Sequence, residues 1–373
     1  MRALLDGDII TYRSGFAAQH MRYIYDGVEF ENYSKLRDFL GSVGMEMKEV
    51  QDEIERKLDV EPVENALANV KSIVRTILDE VDANDYTIFL STGYNFRGDI
   101  ATIRKYKGNR DGAAKPEHYD AIHEYLLNHY NTVRTESIEA DDAMAMCQTN
   151  KTVICSLDKD MLQVPGFHYN WVNDEKLFVN ASIGMQKLFM QVLTGDSTDN
   201  IPGIYGIGPV KAHRITRVPD EDLWDVCIDA WRTYLPNADW CDHYNERTDT
   251  AFYRHWNDLA DCGYLVPEIV EEVYNLLLVG GEKANAALQE SGEEVPLPSE
   301  KEREKAWATR ALPELAGGGR SSCPEESEGE VRVRDGEASV RGTGAGEDVH
   351  TGPDTGDGAD VHRDQGQVHC AGS

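Results

Sequence analysis

The sequence predicts an α/β fold: a mostly parallel sheet flanked by helices, followed by a smaller helical subdomain at the C-terminal side. Two observations predict it. Short runs of β-branched and aromatic residues alternate with longer amphipathic segments as far as about residue 195, and this alternation is typical of a parallel sheet. Beyond residue 196 the strand pattern disappears and helical patterns remain. Sheets of this kind bind ligands at the carboxyl ends of their strands.

Five short apolar segments are predicted to be strands. They are 3–6 (ALLD), 86–91 (YTIFLS), 152–157 (TVICSL), 167–173 and 176–180, the last two around a turn at Asn173 to Glu175. Four segments have apolar residues at helical spacing: 62–80, 117–130, 139–149 and 182–194, the last ending at Gly195. Residues 20–60 are long for a connection, so they are expected to form a variable insertion.

These elements divide the chain into three predicted parts. Residues 1–195 form the α/β domain, which includes the insertion at 20–60, and residues 196–290 form the helical subdomain. Residues 291–373 form an acidic tail, with 18 acids and 9 bases from Ser291 to Ser373. The tail has few large apolar residues after Leu315 and is expected to be disordered from about residue 317.

Composition limits the possible classes of protein. No apolar run reaches the roughly 18 residues of a membrane helix, and Asp6 interrupts the position of a signal-peptide core. We therefore expect a cytoplasmic protein with no membrane partner. The seven cysteines form no CxxC pair, which disfavours zinc and a disulfide framework. The net charge of −30 argues against nucleic acid overall, yet Arg97 to Arg110 holds five bases and one acid.

Carboxylates occur in four short clusters along the predicted α/β domain and just after it. The clusters are Asp6 with Asp8; Glu139, Asp141 and Asp142; Asp158 and Asp160; and Asp196 and Asp199. Carboxylates brought together need a countercharge, which a divalent cation supplies. Mg²⁺ prefers oxygen ligands, and two such ions 3.5–4 Å apart suit phosphodiester hydrolysis. The sequence therefore predicts a two-metal site.

Each cluster also has a simpler explanation. Asp158 and Asp160 fit a turn after a strand, and the cluster at 139–142 fits the acidic first turn of a helix. Asp199 fits an N-cap, and Asp8 is better explained by local hydrogen bonding, or by support of a metal ligand, than by direct metal ligation. The order of all four clusters along one α/β chain is harder to explain in this way.

A glycine-rich turn, GIYGIGPVKA at residues 203–212, follows the last predicted helix of the α/β domain. Gly203, Gly206 and Gly208 permit close backbone approach, and a helix is expected to begin near Pro209. Free amides there, together with Lys211, can hold a phosphate. The pattern indicates a helix–hairpin–helix turn, although a plain connection between helices is the alternative.

The ordered motifs DGD, YKGNR, EADD, SLDKD and GDSTDNIPGIYGIG resemble the 5′-nuclease superfamily. This superfamily includes flap endonucleases, the 5′-nuclease domain of DNA polymerase I and phage 5′–3′ exonucleases. The resemblance covers roughly residues 1–225, and FRGDIATIRKYKGNR makes the phage enzymes the most similar group. It implies a PIN-like or resolvase-like 5′-nuclease fold with a helix–hairpin–helix subdomain.

The resemblance implies a role for each matching residue. The implied metal ligands are Asp6, Glu139, Asp141, Asp142, Asp158, Asp160, Asp196 and Asp199, for two Mg²⁺ or Mn²⁺ ions. Lys107 and Arg110 are implied to act on the scissile phosphate. The expected DNA contacts are Tyr106, Arg97, Arg104, Lys105, Gly203, Gly206, Gly208 and Lys211, with a K⁺ ion at the glycine turn. Tyr106 would stack on a nucleotide, a contact that demands little sequence specificity.

One position departs from the superfamily pattern. Many members have an aspartate at the end of the second strand, where this chain has Ser91. One of the metal ions is therefore expected to have fewer carboxylate ligands, with Asp99 or water taking the place of the missing one.

The implied function is a 5′–3′ exonuclease or flap endonuclease acting on DNA with a free 5′ end, whether duplex, flap or RNA–DNA hybrid. Its setting would be phage-type DNA replication, repair or recombination, in the host cytoplasm if the chain is phage-encoded. Two alternatives remain: an RNA-directed PIN-like nuclease or primer-removing RNase H-type 5′-nuclease, and a DNA-binding module without catalysis.

Overall fold

The computed structural model describes residues 1–110, 112–234, 266–299 and 301–302. Its strands are β1 (Arg2–Asp6), β2 (Gln19–Tyr25), β3 (Val28–Phe30), β4 (Glu55–Val60), β5 (Asp85–Ser91), β6 (Thr132–Thr135), β7 (Thr152–Cys155), β8 (Gly166–Asn170) and β9 (Glu175–Val179). Its helices up to β9 are α1 (Gly7–Ala17), α2 (Tyr33–Ser42), α3 (Met47–Val50), α4 (Val63–Glu80), α5 (Arg97–Ile100), α6 (Tyr119–His129) and α7 (Ala140–Cys147). After β9 come α8 (Ala181–Thr194), α9 (Pro209–Ile215), α10 (Leu223–Tyr234), α11 (Val266–Leu277) and α12 (Glu282–Ser291).

Six strands form the central sheet in the order β6-β5-β1-β7-β8-β9. All neighbours run parallel except the hairpin of β8 and β9. The predicted fold class is therefore confirmed. The parallel arrangement brings the carboxyl ends of β1, β5 and β7 to one edge, where Asp6, Ser91 and Ser156 lie next to one another in sheet order.

The central strands are apolar at successive positions because both faces of the sheet are covered. On one face Leu5, Ile88 and Val153 join the core formed with α1, α4 and α6. On the other face Leu4, Phe89 and Ile154 pack with residues of α7 and α12. This two-sided burial explains why these strands appear in the sequence as continuous hydrophobic runs.

The insertion predicted at residues 20–60 has a structure of its own. Strands β2, β3 and β4 form a three-stranded antiparallel sheet in the order β3-β2-β4. Leu36, Leu40 and Val50 form a small separate core against it. Strand β6 and helix α1 were not predicted from the sequence.

Helices α8, α9, α10 and α11 share another core, around the fully buried Trp231. Among the described residues of 196–290 there are helices and one isolated bridge, between Asp196 and Ile201, but no longer strand. The boundaries of the three predicted parts stay predictions. Residues 235–265, and the tail from residue 303 with its expected disorder, lie outside the described residues. No helix in the described part of the chain has the length and apolar character needed to span a bilayer.

Candidate active site

A cavity of about 460 Å³ lies at the carboxyl ends of β1, β5 and β7. Parallel strands place residues that follow them at a common edge, which is why acids distant in sequence meet here. Six predicted metal ligands line it: Asp6, Glu139, Asp141, Asp158, Asp160 and Asp199. Tyr106, Lys107 and Arg110 line it as well, so the acidic and basic predictions meet in one place.

Asp6 and Asp8 are held at the start of α1. Asp6 ends β1 and caps the helix, accepting hydrogen bonds from the Ile9 amide at 2.9 Å and from Ser156 Oγ at 2.8 Å. Asp8 also lines the cavity, and both of its carboxylate oxygens lie 3.2 Å from the amide nitrogen of Ser91. The end of β5 therefore fixes the carboxylate of Asp8.

Glu139, at the N-terminus of α7, is held by three donors. Its carboxylate accepts hydrogen bonds from Asn95 Nδ2 at 2.9 Å, from Tyr106 Oη at 2.9 Å and from Lys107 Nζ at 2.5 Å. These donors lower the pKa of Glu139 despite its burial, with the Lys107 charge as the largest favourable cause. Glu139 is thus an ionised acid with its countercharge already in place.

Asp142 does not line the cavity. Its side chain is fully buried and accepts a paired hydrogen bond from Arg97, at 2.6 and 2.9 Å. The amides of Gly280 and Glu139 also donate to it. Since its lone pairs are used in this way, the prediction that Asp142 holds a metal is not supported by its surroundings.

Arg97 belongs to the cavity lining but is almost fully buried, and its predicted DNA contact stays a prediction. Arg97 is 2% exposed, and besides Asp142 it donates to the carbonyls of Leu276 and Leu278. A buried charge of this kind is stable only when paired and hydrogen-bonded. The sequence placed Arg97 in a basic strip because five bases are close in sequence, but α5 turns this one inward.

Asp158, Asp160 and Asp196 form a second group of acids beyond β7. Asp158 caps a short 3₁₀ helix by accepting from the Asp160 amide at 2.8 Å, and Asp160 accepts from Gln191 Nε2 at 2.5 Å. Asp196 is buried outside the cavity lining, holds the amide of Thr198 at 2.7 Å, and has Lys159 Nζ at 3.8 Å. Asp196 lies next to Asp160, so it is placed to hold Asp160 in position and not to contact a ligand in the cavity.

The two predicted catalytic bases are paired with acids across the cavity. Arg110 donates to Asp199 at 2.5 Å, and Lys107 lies 3.9 Å from the same carboxylate. The hydroxyl of Tyr106 bridges Asp199 and Glu139 at 2.9 Å each. Lys107 is held in the left-handed region, with φ of 54°, and its amide donates to the Asp199 carbonyl. Arg104 and Lys105 do not belong to the cavity lining.

Most of the cavity acids lack such compensation. Burial, followed by the Asp8 charge, raises the pKa of Asp6 to about 7. Burial likewise raises the pKa of Asp8 to about 6 and, with the Asp158 charge, that of Asp160 to about 8. Burial and the neighbouring charges of Asp6 and Asp158 raise the pKa of Asp141 well above its usual range. Without a cation, burial and mutual repulsion therefore disfavour the ionised forms of these acids, and a bound cation would stabilise them.

A divalent cation fits this site by the chemistry of its donors. The lining acids offer only oxygen ligands, as Mg²⁺ and Mn²⁺ prefer, and the seven acids of the lining outnumber its five bases. Among the described residues, no group of three Asp, Glu, His or Cys side chains is arranged closely enough to hold a metal ion as it stands. The acids therefore supply the charge for a metal centre but not a preformed coordination sphere.

The predicted glycine turn connects α8 to α9. Gly203 packs against the backbone of Thr194 and Gly195, where an added Cβ would lie 2.1 Å from the Thr194 carbonyl carbon. Gly206 has φ of 76°, and Gly208 is the N-cap of α9 with Pro209 as its first residue. An added Cβ at Gly206 or Gly208 would meet no atom within 4 Å. Packing therefore requires glycine at 203 but leaves 206 and 208 open to solvent.

Several residues of the cavity wall were missed by the sequence reasoning. They are Tyr12, Arg13, Lys115 and Tyr119 on the rim, and Asn95 among the donors to Glu139. Tyr12 and Tyr119 are in edge-to-face contact at 5.5 Å, and Lys115 lies over the Tyr119 ring at 4.0 Å. Tyr12 lies six residues after Asp6, on a helix that the sequence reasoning did not predict, so no local signal marked it.

Comparisons with known proteins agree with the motifs. No protein-family model matches the chain. An alignment over 150 positions, which covers 34% of this chain and 14% of the polymerase, shows 33% identity to DNA polymerase I of Rhizobium leguminosarum. Solved structures with a similar fold include the 5′-exonuclease of phage T5 with divalent zinc, at 16% identity over 83% of this chain and 100% of the other, with a TM-score of 0.46.

Another is the flap endonuclease of bacteriophage T5 in a complex with DNA and metal ions, at 15% identity, covering 83% of this chain and 98% of the other with a TM-score of 0.44. These likenesses concern the fold and are too distant to assign a mechanism. The chain spans about a seventh of the length of the polymerase that it matches, so this match shows a local similarity to a DNA polymerase I.

Proposed function

We propose that this protein is a metal-dependent 5′-nuclease, a hydrolase that cuts DNA phosphodiesters near a free 5′ end. One observation carries the proposal. Buried acids from the ends of separate elements, without enough countercharge, line the same cavity as Lys107, Arg110 and Tyr106. Excess negative charge next to bases suits a site that takes divalent cations and a phosphate together.

The residues proposed to hold the metals are Asp6, Asp141, Asp158 and Asp160, with Glu139 and Asp199 completing the set. Two divalent cations, Mg²⁺ or Mn²⁺, would supply an activated water and neutralise charge on the reacting phosphate. Asp196 supports Asp160 from behind. Asp142 is left out because Arg97 already neutralises it.

Lys107 and Arg110 are proposed to stabilise the charge that develops on the scissile phosphate. In the free protein their partners are Glu139 and Asp199. Cations bound to those acids would leave both bases available to donate to phosphate oxygens. The hydroxyl of Tyr106 bridges Glu139 and Asp199 and keeps them at a fixed separation. Because the Tyr106 side chain is half-buried, an unpaired nucleotide could stack on its ring only after some rearrangement.

Duplex DNA is proposed to dock on the glycine turn through Gly206, Gly208 and Lys211. The open space at the two glycines lets a phosphate backbone approach closely, and Lys211 adds positive charge. A K⁺ ion at this turn belongs to the same proposal. Lys105 and Arg104 would contact the DNA outside the cavity, while Gly203 has a packing role.

The finer expectations belong to this proposal as well. They are a preference for flap, duplex or RNA–DNA hybrid substrates, a place in phage-type replication, repair or recombination, and a cytoplasmic location. The polymerase match and the phage 5′-exonuclease and flap endonuclease neighbours support the class of reaction.

The deciding experiment is a cleavage assay on 5′-labelled duplex, 5′-flap and single-stranded DNA with Mg²⁺ or Mn²⁺. Wild type is compared with Asp158→Asn and with Asp79→Asn, the same chemical change at an exposed site on α4. We expect cutting from the 5′ end that needs the metal, is lost in Asp158→Asn and persists in Asp79→Asn. Product lengths separate exonuclease from flap cutting.

The same assay separates the alternatives. Cutting of RNA but not DNA would support the RNA-directed nuclease instead. Retained duplex binding with no cutting by any divalent ion would support a DNA-binding module. The acids argue against that module, because a protein that only binds DNA gains nothing from burying uncompensated negative charge beside its phosphate contacts.

A further inference from the structure

We propose that Asp8 supplies the metal-binding carboxylate that the end of β5 lacks, so that a ligand has moved from that strand to the first turn of α1. This inference rests on the proposed function and deepens it. The resemblance to 5′-nucleases places an acid at the end of the second parallel strand, where this chain has Ser91. The question is which side chain now occupies that part of the cavity.

The sheet brings the two positions together. Strands β1 and β5 are parallel neighbours, with Asp6 in register with Phe89, so the residues that follow each strand meet at the same edge. Asp8 lies two residues beyond β1 and Ser91 is the last residue of β5. Both carboxylate oxygens of Asp8 lie 3.2 Å from the Ser91 amide nitrogen. The carboxylate therefore lies at the end of β5 itself.

The Ser91 side chain has another role. Its Oγ accepts a hydrogen bond from the Ala140 amide at 2.9 Å, which satisfies a free N–H in the first turn of α7. It thereby helps to place Glu139 and Asp141, the neighbours of Ala140. Ser91 is committed to the backbone of α7 and contributes no charge to the cavity.

Asp99, the compensating acid suggested by the sequence, lies elsewhere. It is absent from the cavity lining, and its carboxylate accepts a hydrogen bond from the exposed Tyr94 at 2.5 Å. Asp8 does line the cavity, beside Asp6, Glu139 and Lys107. Between the two acids, the geometry selects Asp8.

Local hydrogen bonding alone explains Asp8 less well. An acid in the first turn of a helix ordinarily interacts with the free amides of its own helix. The Asp8 carboxylate instead bonds to a different element, through the Ser91 N–H, which is shared between its two oxygens, and through the Ser91 side chain. Because both contacts come from one residue, lone pairs of the carboxylate stay available to a cation.

The test is Mn²⁺ binding to the protein without DNA, followed by the electron paramagnetic resonance signal of free Mn²⁺ and by isothermal titration calorimetry. Four proteins are compared: wild type, Asp8→Asn, Asp8→Asn with Ser91→Asp, and Asp99→Asn as the matched control. We expect Asp8→Asn to weaken Mn²⁺ binding about tenfold or more, since even residues behind the ligands change metal affinity by that factor. The double variant should return the affinity to within about threefold of wild type, because its carboxylate stands at the same place.

Two results would overturn the proposal. One is an Asp8→Asn protein that binds Mn²⁺ as tightly as wild type, and the other is a folded double variant without recovery. Circular dichroism checks folding. If the double variant does not fold, the comparison of Asp8→Asn with Asp99→Asn remains, and equal Mn²⁺ affinities of these two variants refute the role of Asp8. Normal Mn²⁺ binding without DNA cleavage by wild type would refute the proposed nuclease while leaving this inference intact.

Discussion

At the scale of single residues, the acids of the cavity differ in how far nearby positive charges neutralise them. Glu139 has a lowered pKa because Lys107 neutralises it, whereas burial and like charges raise the pKa of Asp141. The free protein thus holds negative charge at a cost in stability, as is common where function requires charge in a buried place. Two predictions follow from single charges.

Replacement of Asp141 by Asn should stabilise the metal-free protein while removing its response to metal. Burial beside Asp6 and Asp158 disfavours the ionised carboxyl group that the unfolded chain carries, and the neutral amide removes this cost, so a gain of about 1–2 kcal/mol in the free energy of unfolding is expected. Urea unfolding with EDTA and with Mn²⁺ measures both effects. Asp79→Asn serves as the control, and a loss of stability with EDTA in Asp141→Asn would contradict the argument.

Replacement of Arg97 by Met should destabilise the protein by about 3–5 kcal/mol, because Asp142 would be left buried without a partner. Additional replacement of Asp142 by Asn should recover part of this loss, since the uncompensated charge is then gone. Urea unfolding of both variants measures the difference. If Arg97 served DNA instead, the single variant would keep its stability and lose only DNA affinity.

At the scale of elements, the strand ends and the glycine turn decide what faces the ligand. Strands β1, β5 and β7 end side by side and present Asp6, Asp8 and Asp158 to one cavity. The turn between α8 and α9 combines a glycine required by packing with glycines that are open to solvent. This contrast gives a prediction with an internal control.

Gly203→Ala should destabilise the fold, whereas Gly208→Ala should weaken DNA binding with little change in stability. An added Cβ at Gly203 meets the Thr194 backbone at 2.1 Å, while at Gly208, with φ of −88°, it meets nothing within 4 Å. Overpacking of this kind costs typically about 1–3 kcal/mol. Urea unfolding and fluorescence anisotropy with duplex DNA at fixed salt measure the two effects. Equal DNA affinity of Gly208→Ala and wild type would refute the proposed docking turn.

At the scale of the whole molecule, stability depends on the large hydrophobic cores and also on titratable groups that burial favours in one charge state. The cores lie on the two faces of the main sheet and among α8, α9, α10 and α11. On one of these faces α6 carries His123, which stacks on Tyr119 at 4.3 Å and has an Nε2 without a hydrogen-bond partner. The protein is therefore expected to be sensitive to mild acid.

The contribution of His123 should disappear as the pH falls from about 6.5 to about 4. Burial, reinforced by the charges of Lys115 and Arg134 and opposed by Asp120, lowers the pKa of His123 from 6.5 to about 4. The unfolded chain then binds the proton first, so stability is complete above pH 6.5 and lost below it. We expect the stability difference between wild type and His123→Gln to change across this window and to be constant from pH 7 to 8. Urea unfolding at each pH checks this, and a constant difference throughout would show that His123 is not buried in its neutral form.

The alternation of elements, the acids that follow strands and the order of the motifs can all be recognised in the amino-acid sequence. These are local properties: a buried parallel strand must be apolar, and a helix must repeat every 3.6 residues. The sequence therefore predicted β1, β5 and β7, α4 and α8, and the acids Asp6, Asp141, Asp158 and Asp160 that line the cavity. It missed the four-residue strand β6 and the rim residue Tyr12, which no local pattern marks.

Which partner each charged side chain has depends on the folded structure. Arg97 and Lys107 belong to one basic strip in the sequence and both line the cavity, yet Arg97 is buried and paired with Asp142, whereas Lys107 is half-buried and paired with Glu139. Asp141 and Asp142 are adjacent, but successive positions of a helix point in different directions, so one faces the cavity and the other faces Arg97. Asp8 gained its place through the pairing of β1 with β5, which joins positions 83 residues apart. Charge compensation depends on distance in space, and distance along the chain does not set it.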